Sequence, residues 1–443
     1  MPMNIAMLSY HTCPLATLGG KDTGGMNVYV RDLTRELGRR GIHVDVFTRS
    51  QDEHVPHVLH DLGYGNRVVH VPAGPERPLP KAELARYLPS FVDGIRRFAA
   101  EKNIRYDLIH SHYWLSGLAA EALREAWGTP IVHMFHTLGA LKNQVARSET
   151  EREGEYRLAG ERRVVSVADR ILVATSTEQE QLTGLYQADP ARITVIPPGV
   201  DTCHFYPIPR DEARQYIGIP PQDRMVLYVG RIEPLKGIDT LIRAMACLRF
   251  QHLLAGGPVY LVIIGGDPDA SPETMDAEMA RLQALCADLQ VHNMVIFLGK
   301  RGQDTLPYYY SAAEVVVVPS HYESFGMVAL EAMACGTPVI ASAVGGLALL
   351  VRDGVTGYTV PHGDYPALCD KLIAILGNAA LRQKLGRHAA VYARQYSWKK
   401  IAARIVNVYE ALLNALSTDG ARGALTPPAP AASDTPDSLP DGE

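Results

Sequence analysis

The stretch His321–Pro338, HYESFGMVALEAMACGTP, holds the residues best placed for chemistry. Two carboxylates, Glu323 and Glu331, lie eight positions apart across what reads as the start of a helix. On one helical element that spacing is a reach of roughly 12 Å. It suits an elongated ligand held by hydroxyls at both ends. An anion between them would meet the free amides and positive dipole end around Phe325–Val328. A nucleoside diphosphate sugar has that shape. The plainer alternative is a helix-start charge at Glu323 and a solvated one at Glu331. A second pair, Arg231 and Lys236, shares the short loop Gly230–Gly237, GRIEPLKG. A planar guanidinium fork and a mobile ammonium are what a leaving diphosphate needs when no metal neutralises it. Two loop cations are otherwise ordinary solvated charges.

These groups need elements to hold them. The apolar run Val315–Val318 predicts a buried parallel strand, followed by a helix of about three turns. Ser324 is placed to cap that helix, Gly336 to end it, and Pro338 to prevent its continuation. GRIEPLKG follows the strand Met225–Val229. In the first half, strand Asn4–Ser9 leads through the loop Tyr10–Gly25 to helix Met26–Arg40 and strand His43–Thr48. Gly19, Gly20, Gly24 and Gly25 in that loop allow a close backbone approach, and no G-x-G-x-x-G fingerprint is present. SHYWLSG (Ser111–Gly117) follows the strand around Asp107–His110, and His136-Thr137 ends the strand Ile131–Phe135. Polar and aromatic residues at strand carboxyl ends are where open α/β sheets bind ligands. Alternation of strand and helix in both halves predicts two parallel-sheet domains, 1–198 and 199–394. The turn-rich segment Pro197–Pro209 marks their boundary. A final helix then spans 395–416, and 417–443 reads as a disordered tail.

The 443 residues fit two domains of roughly 200 residues each. A net charge of −5 provides no general basic field, so no nucleic-acid partner is expected. The six cysteines are scattered without metal-ligand spacing and read as reduced thiols. No apolar stretch reaches the ~18 residues of a membrane span, and the N-terminus runs directly into a strand. A cytoplasmic location is the expectation. The lone DPD, Asp267–Asp269, reads as turn chemistry and not as a metal site. The expected reaction therefore needs no metal or other cofactor, and the sequence leaves room for a structural divalent cation such as Mg2+.

The segment ESFGMVALEAMACGTPV resembles the E-x7-E signature of retaining glycosyltransferases of family 4, and VGRIEPLKG resembles their G-R-x-x-x-x-K-G element. The similarity covers residues 1 to about 415 and also includes HTCPLATLGGKDTGGMNVYVRDL, HSHYWLSG and HTLGALKN. It is strongest toward the D-inositol 3-phosphate glycosyltransferases of the mycothiol pathway, with sucrose-phosphate synthases more distant. The resemblance implies an α/β chain of the GT-B class: two Rossmann-like doubly wound domains with an interdomain cleft. The last helix is expected to return to the first domain. The implied donor is UDP-N-acetylglucosamine, bound mainly to the second domain. Glu331 would hold the ribose, Arg301 would lie near the base, and Arg231 and Lys236 would face the diphosphate. Glu323 would hold the sugar hydroxyls, with the amides of Phe325, Gly326, Met327 and Val328 and the Gly24–Gly25 turn beside them. His136 becomes a catalytic candidate as a polar contact near the reacting carbon, together with Arg231, Lys236 and Glu323. Without the resemblance, His136 reads as a satisfied histidine at a strand end.

For a phosphorylated acceptor, implied to be D-inositol 3-phosphate, the positions matching the family's phosphate ligands are Lys81, Tyr113, Thr137 and Arg157. His11, Asp22, Thr23 and Asn27 match residues around the inositol ring. Two departures fall on this side: Phe135 stands where the family has a small residue, and the charged loop Arg147–Glu155 lacks the usual prolines. Transfer of glucose from UDP-glucose, as in sucrose-phosphate synthesis, is the enzymatic alternative. A regulatory protein that binds sugar nucleotides without turnover is the alternative of another class. A homodimer is compatible with the sequence.

Overall fold

The computed structural model describes residues 3–16, 23–146, 148–249, 257–271 and 275–423. Asp22, Gly19, Gly20 and Arg147 lie outside them, as does the chain beyond Gly423.

The first half runs β1 (Asn4–Leu8), α1 (Gly25–Arg39), β2 (His43–Arg49), β3 (Val58–Leu59), β4 (Arg67–Val71), α2 (Lys81–Leu84) and α3 (Leu88–Glu101). It continues with β5 (Leu108–His112), α4 (Trp114–Trp127), β6 (Ile131–Met134), α5 (Gly139–Val145), α6 (Glu155–Val167), β7 (Arg170–Val173), α7 (Ser176–Tyr186) and β8 (Ile193–Val195). After α8 (Arg210–Ile217) the second half follows: β9 (Arg224–Val229), α9 (Ile238–Arg249), β10 (Val259–Ile264), α10 (Ala277–Asp288), β11 (Val295–Gly299) and α11 (Leu306–Ala312). Then come β12 (Val315–Val318), α12 (Met327–Ala334), β13 (Val339–Ser342), α13 (Gly345–Leu350), β14 (Gly357–Val360), α14 (Tyr365–Gly377), α15 (Ala379–Ala393) and α16 (Trp398–Gly423).

Eight strands form one sheet in the order β3-β4-β2-β1-β5-β6-β7-β8, and six form the other in the order β11-β10-β9-β12-β13-β14. All pairings are parallel except the short edge pair β3–β4. The winding reverses at β1/β5 in the first sheet and at β9/β12 in the second. At such a reversal the loops on neighbouring strands diverge and leave a crevice at the strands' carboxyl ends. β12 shows why the strands form where they do: four consecutive valines are buried on both faces between β9 and β13.

The helix after β12 differs from expectation. It spans Met327–Ala334 and starts at Gly326, whose φ of 105 fits the left-handed turn there; Ser324 does not cap it. Ser324 and Phe325 belong to the preceding loop, with Phe325 buried in the core. The helix therefore loses its expected first turn. Its other end is as expected: the N–H of Gly336 (φ 76) donates to Met333 and that of Thr337 to Ala332, closing the last turn.

The halves are tied together twice over. The two connections between the sheets run side by side, where Val200 pairs with Ser397. The N–H of Val200 donates to the Tyr396 carbonyl at 2.8 Å. Helix α16 then lies against the first sheet's helices. Trp398 packs edge-on to Tyr29 at 5.2 Å, Arg404 reaches the Val195 carbonyl at 2.7 Å, and the Tyr409 hydroxyl meets His110 Nδ1 at 2.6 Å. This helix runs on to Gly423, beyond the expected end at Leu416.

Candidate active site

The two crevices face each other across one cleft of about 250 Å³. Its walls are the loops that follow β1, β5 and β6 on one side and β9 and β12 on the other. A smaller chamber of about 100 Å³ adjoins it, sharing Gly24, Gly25, Arg231, Met327 and Val328, and ends at Lys300, Arg301 and Glu331. A larger surface hollow of about 580 Å³ between α4, α6 and α16 contains none of these residues. The domains meet closely: a Cβ added at Gly25 would stand 3.3 Å from Met327 Cγ, and one at Gly24 would stand 3.8 Å from Arg231 Nε.

On the second-domain wall, Lys236 closes a 3₁₀ turn and its Nζ lies 2.6 Å from Glu323 Oε2. Arg231 pairs with Glu233 at 2.7 Å. Each cation is thus positioned by a carboxylate before any ligand arrives. The Glu323 loop is itself held by α13. The N–H of Gly346 donates to the Glu323 carbonyl at 3.1 Å, and a Cβ at Gly345 would fall 2.0 Å from that oxygen. The first amides of α12 have no partner within the helix and face the cleft with its positive dipole end.

Glu323 and Glu331 do not lie along one element. Glu323 is in the loop, whereas Glu331 is on α12, buried, with its Oε2 accepting from the Tyr310 hydroxyl at 2.8 Å. Burial raises the Glu331 carboxyl to about 7, against a smaller lowering by that hydrogen bond. Arg301 Nε lies 3.3 Å from the Tyr309 hydroxyl at the chamber's edge.

On the first-domain wall, the Tyr113 ring is the centre of a basic cluster. His11 packs against it at 4.3 Å, with Arg157 at 5.1 Å and Lys81 at 6.0 Å. Burial lowers the His11 imidazole well below its ordinary range, and Lys81 lowers it further. Asn27 is spent on the loop: its amide donates to Thr12 Oγ1 and the Cys13 carbonyl, and its oxygen accepts from the Gly24 N–H. Thr23, Thr137 and His136 line the cleft. His136 is neutral, because burial pulls it down to about 3.

Arg157 stands behind this wall. It donates through Nε to Glu161 at 2.8 Å, through one terminal nitrogen to Glu153 at 2.5 Å and through the other to Thr137 at 3.1 Å. The cation exposed to the cleft beside Thr137 is Lys142, whose Nζ lies 2.9 Å from Glu153. The sequence reading missed Lys142 because it expected no helix at Gly139–Val145. The segment HTLGALKN held the signal, since a helix beginning after Leu138 turns its fourth residue toward the residues at the strand end. Glu178 was missed as well. It lines the cleft, accepts from the Ala174 N–H at 2.8 Å, and is raised to about 7 by burial. Phe135 points away from the cleft into the core, edge-on to His133 at 4.3 Å. The loop after α5 is clasped at Asn143, whose side chain bonds both the N–H and the carbonyl of Glu153. Asp267 accepts from the Asp269 N–H at 3.3 Å, a turn. No group of three potential metal ligands gathers among the described residues.

The chain is similar to known proteins over nearly all of its length. Residues 209–391 match the family described as glycosyl transferases group 1, and residues 23–204 match Glycosyltransferase Family 4. The chain is 43% identical over 406 residues to a D-inositol 3-phosphate glycosyltransferase of Actinosynnema mirum, covering 91% of this chain and 96% of that one. It is 44% identical over 409 residues to the protein of that name from Acidothermus cellulolyticus, covering 92% and 90%. Among solved structures, a sucrose-phosphate synthase from Thermosynechococcus elongatus superposes with a TM-score of 0.85 at 37% identity, covering 93% of this chain and all (100%) of that one. Anabaena HepE in complex with UDP and glucose shares the fold, with a TM-score of 0.71 at 20% identity over 92% of this chain and 100% of that one. Among the described residues, no helix is long and apolar enough to cross a membrane.

Proposed function

This chain belongs to the family 4 glycosyltransferases, and from that membership we propose that it carries N-acetylglucosamine from its UDP form to D-inositol 3-phosphate. It is a GT-B enzyme that transfers a sugar, so the reading without turnover falls away. The observation that carries the proposal is a single cleft with cations on both walls and a neutral histidine between them. Arg231 and Lys236 stand on one side, and Lys81 and Lys142 beside Thr137 on the other.

In this reading the uridine ribose reaches Glu331 through the chamber, with Arg301 near the base. The diphosphate meets Arg231, Lys236 and the first amides of α12. Glu323, fixed by Lys236, accepts from sugar hydroxyls. The acceptor's phosphate lies against Lys81, Lys142, Tyr113 and Thr137, and Arg157 joins it once Glu153 turns aside. His11 and Thr23 border its ring. The new bond joins the anomeric carbon to an acceptor oxygen on the face that the phosphate leaves. The carbon–oxygen bond to the diphosphate breaks, and that diphosphate takes the acceptor's proton, so configuration is retained. Double displacement would need a carboxylate nucleophile. Glu323 is held by Lys236, and Glu178 is kept largely protonated by burial below about pH 7. The two walls of the cleft exclude water and align the two substrates.

The test is UDP release by purified protein with UDP-N-acetylglucosamine or UDP-glucose, each with inositol 3-phosphate, fructose 6-phosphate or no acceptor. Release with the first donor and inositol phosphate is the expected result. The 37%-identical sucrose-phosphate synthase favours a second reading, and release only with UDP-glucose and fructose 6-phosphate would establish that one instead.

A further inference from the structure

His136 has a φ of 61, a left-handed conformation that few non-glycine residues adopt. Its ring is held from beneath. Nε2 lies 3.0 Å from Nδ1 of His112, the last residue of β5, and Tyr29 packs edge-on against both rings at 5.2 and 5.5 Å. His112 is fully buried and packs, tilted, at 4.2 Å against His110, which Tyr409 of α16 anchors. His112 is not among the residues lining the cleft. Any effect it has on the reaction passes through His136.

We propose that His112 is a positioning residue that fixes the tautomer of His136, so that His136 offers the cleft an Nδ1–H donor. Both rings are neutral, because burial holds each far below the ordinary imidazole range. Of two neutral ring nitrogens 3.0 Å apart, one must donate and the other accept. The decision falls to Nε2 of His112, which is buried with no partner among the described residues. A proton there would be an orphaned buried N–H, which folded proteins avoid. With the proton on Nδ1, only a lone pair goes unused and the N–H points at His136. Nε2 of His136 then accepts, and its single proton sits on Nδ1, the nitrogen left for a ligand. A neutral N–H donor can hold an oxygen of the donor sugar and polarise it without taking its proton. His136 is thereby excluded as a general base.

This assignment rests on the reading that His136 meets the donor sugar, and the two are tested separately. Nitrogen NMR of the full chain labelled at histidine, with His136→Gln to assign the signal, reads the tautomer directly. A neutral ring protonated at Nδ1 around neutral pH is expected; a proton on Nε2 would overturn the proposal. His112→Phe keeps ring volume and burial and removes the donor. It should lower kcat by roughly 10- to 100-fold, the usual range for a group that orients another. The donor KM should stay nearly constant and the His136 signal should shift. His112→Asn, whose amide takes the place of Nδ1–H, should recover much of the rate; equal losses in both variants would overturn the proposal. If the Phe variant does not fold, the labelled native protein decides alone. Unchanged turnover in His136→Ala would remove the sugar contact and leave the tautomer to the NMR measurement.

Discussion

Glu331 is a residue on which burial and ligand chemistry pull in opposite directions. Its carboxyl borders the smaller chamber, accepts from the Tyr310 hydroxyl, and is lifted by burial from 4.5 to about 7. Because the folded value is the higher one, the folded chain keeps a proton that the unfolded chain releases as pH rises. The resulting stability is fully present below about pH 4.5 and is gone above about pH 7. Glu331→Gln keeps a polar group for Tyr310 and does not titrate. Its melting temperature should gain on the native protein from pH 5 to about pH 7 and level off above it; a difference independent of pH would contradict the assignment. Lys236 makes the complementary case for charge. Lys236→Ala removes the cation proposed to face the diphosphate and releases Glu323, so kcat/KM for the UDP-sugar should fall by on the order of 100-fold. Steady-state kinetics decide, and unchanged turnover would take Lys236 out of the site. Both residues were visible in the sequence by type and spacing. Their pairings were not, because Tyr310 and Glu323 meet them through the fold and not through neighbouring positions.

At the scale of elements, long strands and helices could be read from alternation, since each buries a continuous apolar face. Several short helices could not. α5, α8 and α13 have too few turns to show a period, yet α5 carries Lys142 and α13 carries the Glu323 loop. A signal did exist for α13: Gly345-Gly346 follows a strand and opens a helix, as Gly24-Gly25 opens α1. The pair is needed because the backbone of Glu323–Phe325 lies directly on it. Gly345→Ala would place a methyl 2.0 Å from the Glu323 carbonyl oxygen at a φ of 43. The loop must move. Turnover should fall by at least about 10-fold, with a stability loss of about 1–3 kcal/mol for the strained backbone. Kinetics and thermal melting of the same sample test this, and native turnover would show that the loop tolerates displacement.

For the molecule as a whole, the cleft exists because two sheets present their winding reversals to each other, and α16 fixes that relation from behind. Two domains were readable from the repeated alternation of strand and helix. That the chain's end supports its beginning came only from resemblance, since nothing local in α16 names Tyr29 or His110 as neighbours. Trp398 is buried at the junction of the two connections. Trp398→Ala should cost about 3–5 kcal/mol in chemical unfolding and weaken donor binding as the halves loosen. A surface-like loss under about 0.5 kcal/mol would exclude that role. The placement of α16 also orders events during synthesis. Tyr409 lies 299 positions after His110, and every strand of the second sheet is made between them. On the ribosome the second sheet assembles from contiguous chain, while Tyr29 and His110 wait uncovered in the first. A nascent chain stopped between α15 and α16 carries both walls of the cleft and lacks the wedge that steadies its histidines. The contacts that α16 makes with the first half are therefore the last to form.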